Sequence, residues 1–470
     1  VGEDTHYRAF VQQKHNRDYK LANETNAGDD WDQWRTGMRV DMDNLSYGSL
    51  TVQSELYNGQ EDHQMLLPAL SGAYVNPVSD EWDVGGGHLL ASWNYDTGVN
   101  QYSLTGYYDY ASRNTVVFED KTQTFDLDFN HSFKASDHHD MIWGLGYRLI
   151  NTDVNGTDII SYDPATRTDN LFSAFLQDKV ALITDELFLT LGSKFEHNDY
   201  TGFEWQPSAR MSWLINDKQT LWGAVTRSVR TPSRATHDLS IAVAGVPSAA
   251  SPTGSLLVRQ IASDAVNSEE LLSYELGYRV QPTEDLSFDL AAFYNDYPTL
   301  VSDSQGSPYL DSNATFGPHV VLPYLVGDDS KGTTIGFEIS ADWKASPHWM
   351  LSSSYSMLEM DIEGGSTFVS GDGRTPHHQF SLETHYTPDE HWEFDNMFYY
   401  VDQLNPSTTL EIPRYWRYDT RLAYNFDNGL SLSLIGQNLL DDQHPEFSSF
   451  VYNRQIEIPR TVYGKLNWKF

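Results

Sequence analysis

Apolar and polar residues alternate along almost the whole chain. In PRTVYGKLNWKF, which runs to residue 470, Val462, Gly464, Leu466, Trp468 and Phe470 share one face. Thr461, Tyr463, Lys465, Asn467 and Lys469 share the other. A period of two describes a strand with one apolar and one wet face. The pattern returns at Trp34, Met38, Val40 and Met42, at Leu272, Tyr274 and Leu276, and at Ile335, Phe337 and Ile339. It predicts about twenty strands of the length that spans a bilayer, near 5–15, 31–43, 46–59, 84–95, 99–112, 119–133, 140–151, 169–182, 186–198 and 203–215, then 219–230, 267–280, 285–298, 331–344, 348–361, 375–387, 391–404 and three more up to 459–470.

The connections alternate between short and long. Short turns such as DTG (96–98) and NDK (216–218) take turns with long stretches at 60–83, 152–168, 231–266 and 299–330. Transmembrane barrels have that asymmetry, with short periplasmic turns and longer extracellular loops. Beside the short turns stand Trp213, Trp343, Trp349, Tyr386, Trp392, Phe426, Trp468 and Phe470, which would form one aromatic girdle at the periplasmic interface. A string of soluble β-sandwiches is disfavoured because its strands would be about 5–6 residues long. The expected fold is therefore all-β, a transmembrane antiparallel β-barrel of about 20 strands that takes in residues 1–470 as one unit.

Composition changes the picture little. No run approaches the ~18 apolar residues that a membrane helix needs, and a mean hydropathy of −0.51 suits a barrel whose lumen is polar. The formal net charge of −36 argues against a nucleic-acid partner, because phosphate contacts need Lys and Arg. There is no cysteine, so neither disulfides nor zinc-thiolate sites can form. VGEDTHYRAF has neither the basic start nor the apolar run of a signal peptide, as expected of a mature or partial sequence. Ser, His and Asp are scattered without catalytic spacing, so no enzyme activity, cofactor or metal site is expected. His138-His139-Asp140 lies in a short turn and reads as solvated; the acidic pairs Asp29-Asp30 and Asp328-Asp329 read the same way.

Several segments carry a resemblance. IPRYWRYDTRLAY followed by GQNLLDDQHPEF resembles the C-terminal end of TonB-dependent outer-membrane receptors. TLWGAVTRSVRTPS (220–233), NSEELLSYELGYR (267–279) and the hairpins that follow resemble the same family in order. The resemblance implies a bacterial outer-membrane receptor that imports a scarce nutrient, most often a ferric siderophore. It also implies coupling to a TonB-ExbB-ExbD complex through an N-terminal plug. Neither plug nor coupling box is found in residues 1–470, and Val1-Gly2-Glu3-Asp4 resembles the turn that precedes the third strand of a barrel of 22. The alternative is a passive, porin-like channel made by the barrel alone.

Ligand contacts are expected on long loops and on lumen faces near the outer rim. Arg230, Arg234 and Arg259 bracket the longest loop and would suit an anionic chelate. Trp82, Tyr309, Tyr324 and Tyr452 are loop aromatics placed to stack on a ligand. Arg374, His377 and His378 stand at a strand mouth, where at most one of the two histidines can face the lumen, and Arg454 lies close to Tyr452. Unpaired backbone groups in lipid cost several kcal/mol each. The strand at 5–15 is therefore expected beside 459–470, antiparallel, around a lumen empty of protein. The other possibility is that both edges await a missing hairpin.

Overall fold

Where the alternation keeps phase, the backbone is extended and laddered to its sequence neighbours. The computed structural model describes residues 4–249, 251–364, 373–407, 410–447 and 452–469. In chain order the elements are β1 (Thr5–Asn16), β2 (Trp31–Leu45), β3 (Gly48–Pro68), β4 (Val75–Asp96), β5 (Asn100–Asn114), β6 (Phe118–Ser136), β7 (His139–Gly156), β8 (Ile160–Tyr162), β9 (Thr166–Ile183) and β10 (Leu187–Asn198). Then come β11 (Gly202–Asn216), β12 (Gln219–Arg230), helix α1 (Arg234–Asp238), β13 (Leu239–Pro247), β14 (Ser255–Ile261), β15 (Glu269–Thr283), β16 (Leu286–Gln305), β17 (Tyr309–Asn313), β18 (Gly317–Ser346) and β19 (Trp349–Glu363). The chain ends with β20 (His378–Tyr386), β21 (Trp392–Val401), β22 (Leu404–Ser407), β23 (Leu410–Ile412), β24 (Tyr415–Asn425), β25 (Leu430–Gln437), β26 (Gln443–His444), β27 (Ile458–Pro459) and β28 (Thr461–Trp468).

Twenty of these strands make one antiparallel wall, each beside its neighbour in sequence. The other eight are β8, β13, β14, β17, β22, β23, β26 and β27, all at the long-loop end. Register decides the faces. Tyr274 sits opposite Val225 and Tyr294, and Phe337 opposite Ala292 and Met357. The apolar phase thus continues from strand to strand and turns outward, with Leu276 58% exposed, while Ser273 on the other phase is 6% exposed. The inward phase holds a charge lattice. Arg148 meets Asp126 at 2.6 Å, Arg421 meets Glu393 at 2.8 Å, and Arg417 meets Asp419 at 2.8 Å and Glu446 at 3.3 Å. Charges held against a low-dielectric wall need such partners, since unpaired ones carry the full desolvation cost.

At the short-turn end the outward aromatics form a band. Trp349 packs on Tyr386, Tyr386 on Phe394, Phe394 on Trp392, and Trp392 on Tyr424, with ring centroids 4.9–6.4 Å apart. Trp213, Trp343, Phe426 and Trp468 are exposed on the same phase. Phe470 and Val1–Glu3 lie outside the described residues.

The wall departs from expectation at its edges. Among the described residues β1 pairs only with β2, and β28 only with β25, so the expected ladder between 5–15 and 459–470 is not formed. Both edge strands are bare: Tyr7 is 70% exposed, Val11 82% and Leu466 64%. Beyond the strands the two ends do meet. The Glu457 amide donates to the Lys20 carbonyl at 2.7 Å, and the Leu66 amide to the Tyr452 carbonyl at 2.7 Å. The outcome is a slot between β1 and β28, clasped at its long-loop end.

Candidate functional site

The long stretches are not irregular loops. β3 and β4 continue as a hairpin to Pro68 and Val75, where 60–83 read as a connection. The excursion at 231–266 forms α1 and the β13–β14 hairpin. Ser233 caps α1, its side chain bonded to the Thr236 amide. This is why the polar RTPS sequence ends a strand and opens a helix. β13 ladders onto β8 on one side, and β14 runs parallel to residues 321–325 of β18 on the other. These extensions share a core of Met65, Leu67, Val117, Ile159 and Ile160, against which Trp82, Leu239, Ile241, Phe316 and Tyr452 pack. In the wall, β3 and β4 stand ten strands from β16 and β18. The segment that joins them is therefore a strap across the mouth of the barrel.

Beside the strap, on the inward phase of β12, β15, β16, β18 and β19, opens a cleft of about 460 Å³. Arg230, Glu269, Leu271, Tyr297, Met360 and Arg374 are among its lining residues. Arg230 and Glu269 are ladder partners, with Nη1 of Arg230 2.9 Å from Oε2 of Glu269. The other oxygen of Glu269 accepts the Val301 amide at 2.8 Å, which fixes the carboxylate. The Arg230 side chain lines the cleft and nevertheless stays 80% exposed. Two guanidiniums above an apolar floor can hold an anionic group by charge-assisted hydrogen bonds while a hydrophobic body packs beneath.

The structure brings Arg230 and Arg374 together and sends the other candidates elsewhere. Arg234 is an anchor: it reaches Asp238 at 3.2 Å, donates to the Ala165 carbonyl at 2.8 Å and covers the Tyr162 ring. Arg259 is buried within the strap, bonded to the Ser240 hydroxyl at 3.0 Å and the Asp158 carbonyl at 2.5 Å. Tyr452 packs in the strap core and donates its hydroxyl to the Ala242 carbonyl; burial holds that phenol well above its usual range. Trp82 stacks on His63 at 3.6 Å and packs against the same core. Tyr324 stands opposite Gln305 in the β16–β18 ladder, while Tyr309 and Arg454 are exposed.

His377 pairs with Glu359 at 3.2 Å, and His378 bonds the Tyr355 hydroxyl at 2.9 Å. Tyr355 and Glu359 belong to the outward phase of β19, so these contacts draw both histidines away from the lumen. In the short turn, His139 bonds Asp178 at 2.7 Å, and the Asp328 carboxylate takes the Asn267 amide at 2.9 Å. Among the described residues no group of three His, Cys, Asp or Glu has metal-holding geometry. Sequence reasoning missed Glu269, Tyr297 and Met360. Glu269 could have been found by pairing the last residue of β12 with the first of β15, had the insertion of a whole strap between them been foreseen.

An antiparallel wall of this size, with an apolar exterior, a charged interior and a roofed mouth, defines a membrane β-barrel of the large receptor type. The chain matches the TonB dependent receptor-like, beta-barrel family over residues 6–439, and it belongs to that family. Among solved structures it resembles the siderophore receptor PiuA of Acinetobacter baumannii (13% identity, TM-score 0.75, covering 100% of this chain and 78% of that one). The ferric-catecholate import receptor Fiu of E. coli K12 gives the same identity, TM-score and coverage. A variant of the ferric enterobactin receptor PfeA of Pseudomonas aeruginosa, solved in complex with enterobactin, matches at 13% identity and a TM-score of 0.72, covering 99% of this chain and 76% of that one. No curated protein matches the chain by sequence.

Proposed function

We propose that the chain is the barrel of an outer-membrane receptor that imports a scarce anionic nutrient, a ferric siderophore above all. TonB-ExbB-ExbD would energise it through a plug that is not part of residues 1–470. The observation that carries this reading is the cleft, where Arg230 and Arg374 share a lining with Leu271, Tyr297, Leu300, Met360 and Ile362, beside the carboxylates of Glu269 and Glu270. The strap across that mouth favours a gated receptor over a passive pore. The family membership and the named functions of the solved neighbours support the same reading. Growth of the source cells under iron limitation, with and without the gene, tests it. Rescue by siderophore-bound iron only when the gene is present is the expected result. Equal growth of both strains on several iron chelates would remove iron as the cargo.

A further inference from the structure

One outward position of the wall lacks a side chain for which there is room. Gly223 lies within β12 on the phase of Val225, opposite Met211 of β11 and Leu276 of β15. Neither ladder shifts register there, and the Gly223 backbone is not in the left-handed region. A Cβ at this position would meet only the Glu275 carbonyl at 3.4 Å and a Leu276 methyl at 3.9 Å, which is ordinary contact. Gly277, by contrast, can carry no side chain, because the Trp222 indole fills the place of its Cβ. Glycine weakens a strand interior, and where neither a bulge nor crowding calls for it, it marks the close approach of something else. A hollow of about 570 Å³ opens over Gly223 on the outward face, walled by Leu187, Met211, Trp213, Leu221 and Leu276.

The hollow ends at a charged rim. Trp213 donates its indole N–H to a Glu186 carboxylate oxygen at 3.2 Å, and the Glu186 carbonyl accepts the Leu214 amide at 2.7 Å. The second carboxylate oxygen of Glu186 has no partner among the described residues. The short turns β9–β10, β11–β12 and β15–β16 border the hollow. They carry Asp185, Glu186, Asp217, Glu284 and Asp285 against one cation, Lys218.

We propose that this hollow holds one phospholipid of the leaflet that meets the short turns, with an acyl chain over Gly223 and a primary ammonium head at Glu186. The chain follows from the walls. The outward face is the lipid face, and a chain seated over Gly223 touches protein on its flanks as well as beneath, which a flat wall does not offer. The head follows from the rim. Its carboxylates repel a wholly anionic head, whereas an ammonium brings three donors to the free oxygen of Glu186. The site lies outside the barrel and shares no residue with the cleft, so it can fail or hold independently of the receptor reading.

The test is native mass spectrometry of the full chain folded in detergent micelles, titrated with phosphatidylethanolamine or with phosphatidylglycerol of the same acyl chains. The parent should retain one phosphatidylethanolamine in preference to phosphatidylglycerol. Gly223→Leu fills the hollow, displaces about two methylene groups of the chain and should weaken that retention about tenfold. Glu186→Gln keeps an acceptor for Trp213 but removes the charge, and should cut the preference between the two lipids about threefold. Gly464→Leu, the same change on the outward face of β28 and away from this rim, should leave both values unchanged. Leu276→Trp fills the hollow from the neighbouring strand and takes the place of Gly223→Leu should that variant not fold. Unchanged retention in a folded Gly223→Leu or Leu276→Trp barrel overturns the site, and so does an equal loss from Gly464→Leu. Equal retention of the two lipids by the parent, or an unchanged preference in Glu186→Gln, overturns the ammonium head.

Discussion

Asp238 and Arg167 meet at 3.0 Å across 71 residues of sequence, joining the root of the strap to strand β9 of the wall. The Asp238 side chain is 2% exposed and that of Arg167 16%, so the pair is held almost out of water. Removing one partner of such a pair costs about 3–5 kcal/mol, because the other charge is left buried. Asp238→Asn should therefore loosen the strap root, raising hydrogen exchange across 234–261 while the strands of the wall keep their protection. Unchanged exchange there would show that the carboxylate is not the anchor.

The two faces of β18 can be separated by neighbouring substitutions. Phe337→Arg puts a charge on the outward phase at mid-wall, and a lipid-facing arginine at the bilayer midplane costs about 2–4 kcal/mol. Glu338→Arg stays on the inward phase, opposite Ala291 and Ser356, where water and other charges can receive it. Unfolding in lipid vesicles should show a large loss for the first and a small one for the second. Equal losses would mean that the phase has been assigned wrongly.

The cleft makes a claim about affinity. A hydrogen bond to a charged group is worth about 1.5–3 kcal/mol, so losing one arginine should weaken an anionic ligand roughly tenfold or more. Arg230→Ala and Arg374→Ala should each raise Kd for a ferric siderophore in direct binding. Arg259→Ala should act mainly on strap stability, because that guanidinium is occupied within the fold. A larger effect on Kd from Arg259 than from Arg230 would reverse these roles.

On the edge strands, half of the backbone groups have no ladder partner. Along Thr5–Asn16, alternate amides of β1 should exchange quickly in detergent, while the amides bonded to β2 exchange slowly. Uniform protection across β1 would mean that something covers the edge.

Acid should loosen one contact beside the strap, between the turn after β7 and the turn between β17 and β18. The Thr315 amide, donating to the Asp158 carboxylate at 2.9 Å, holds that carboxyl below its usual range. A depressed folded value means that the contribution is full above the ordinary carboxylate pKa of about 3.9 and fades as pH falls through the lower folded value. Protection of the 314–316 turn, taken relative to intrinsic amide exchange, should stay flat from neutral pH to about 5 and fall below about 4, and Asp158→Asn should remove the fall. A fall that persists in Asp158→Asn would assign it to another group.

Much of the wall could be read from period alone. The phases of β15, β18 and β28, the short turns and the aromatic band all follow from alternation, since the bilayer imposes one chemistry on every outward position. The strap could not be read this way. Arg234 and Arg259 looked like ligand groups because a charge in a long loop is normally solvated. What makes them structural is contact with Ala165 and Asp158, distant in sequence, and no local pattern encodes such contacts. The register of Arg230 with Glu269 was hidden for the same reason: the strap separates two strands that are neighbours in the wall. The missing ladder between β1 and β28 runs against the rule that a sheet in lipid leaves no edge. Alternation fixes the face of a strand but says nothing about its second neighbour.

The strap also sets an order of events as the chain folds. Every wall ladder joins strands that follow each other around the sheet, and many hairpins can zip onto the last with a short loop to close, although β12 and β15 must close around the strap. The strap and the turns around it depend on contacts between residues 101, 157 and 210 positions apart, namely Arg259 with Asp158, Thr315 with Asp158, and Tyr452 with Ala242. Loop-closure entropy makes such contacts slow to form. The wall can therefore assemble progressively from either end, whereas the mouth is roofed only once residue 452 has arrived. Until then the lumen stands open, and any domain destined for the interior has that interval in which to enter.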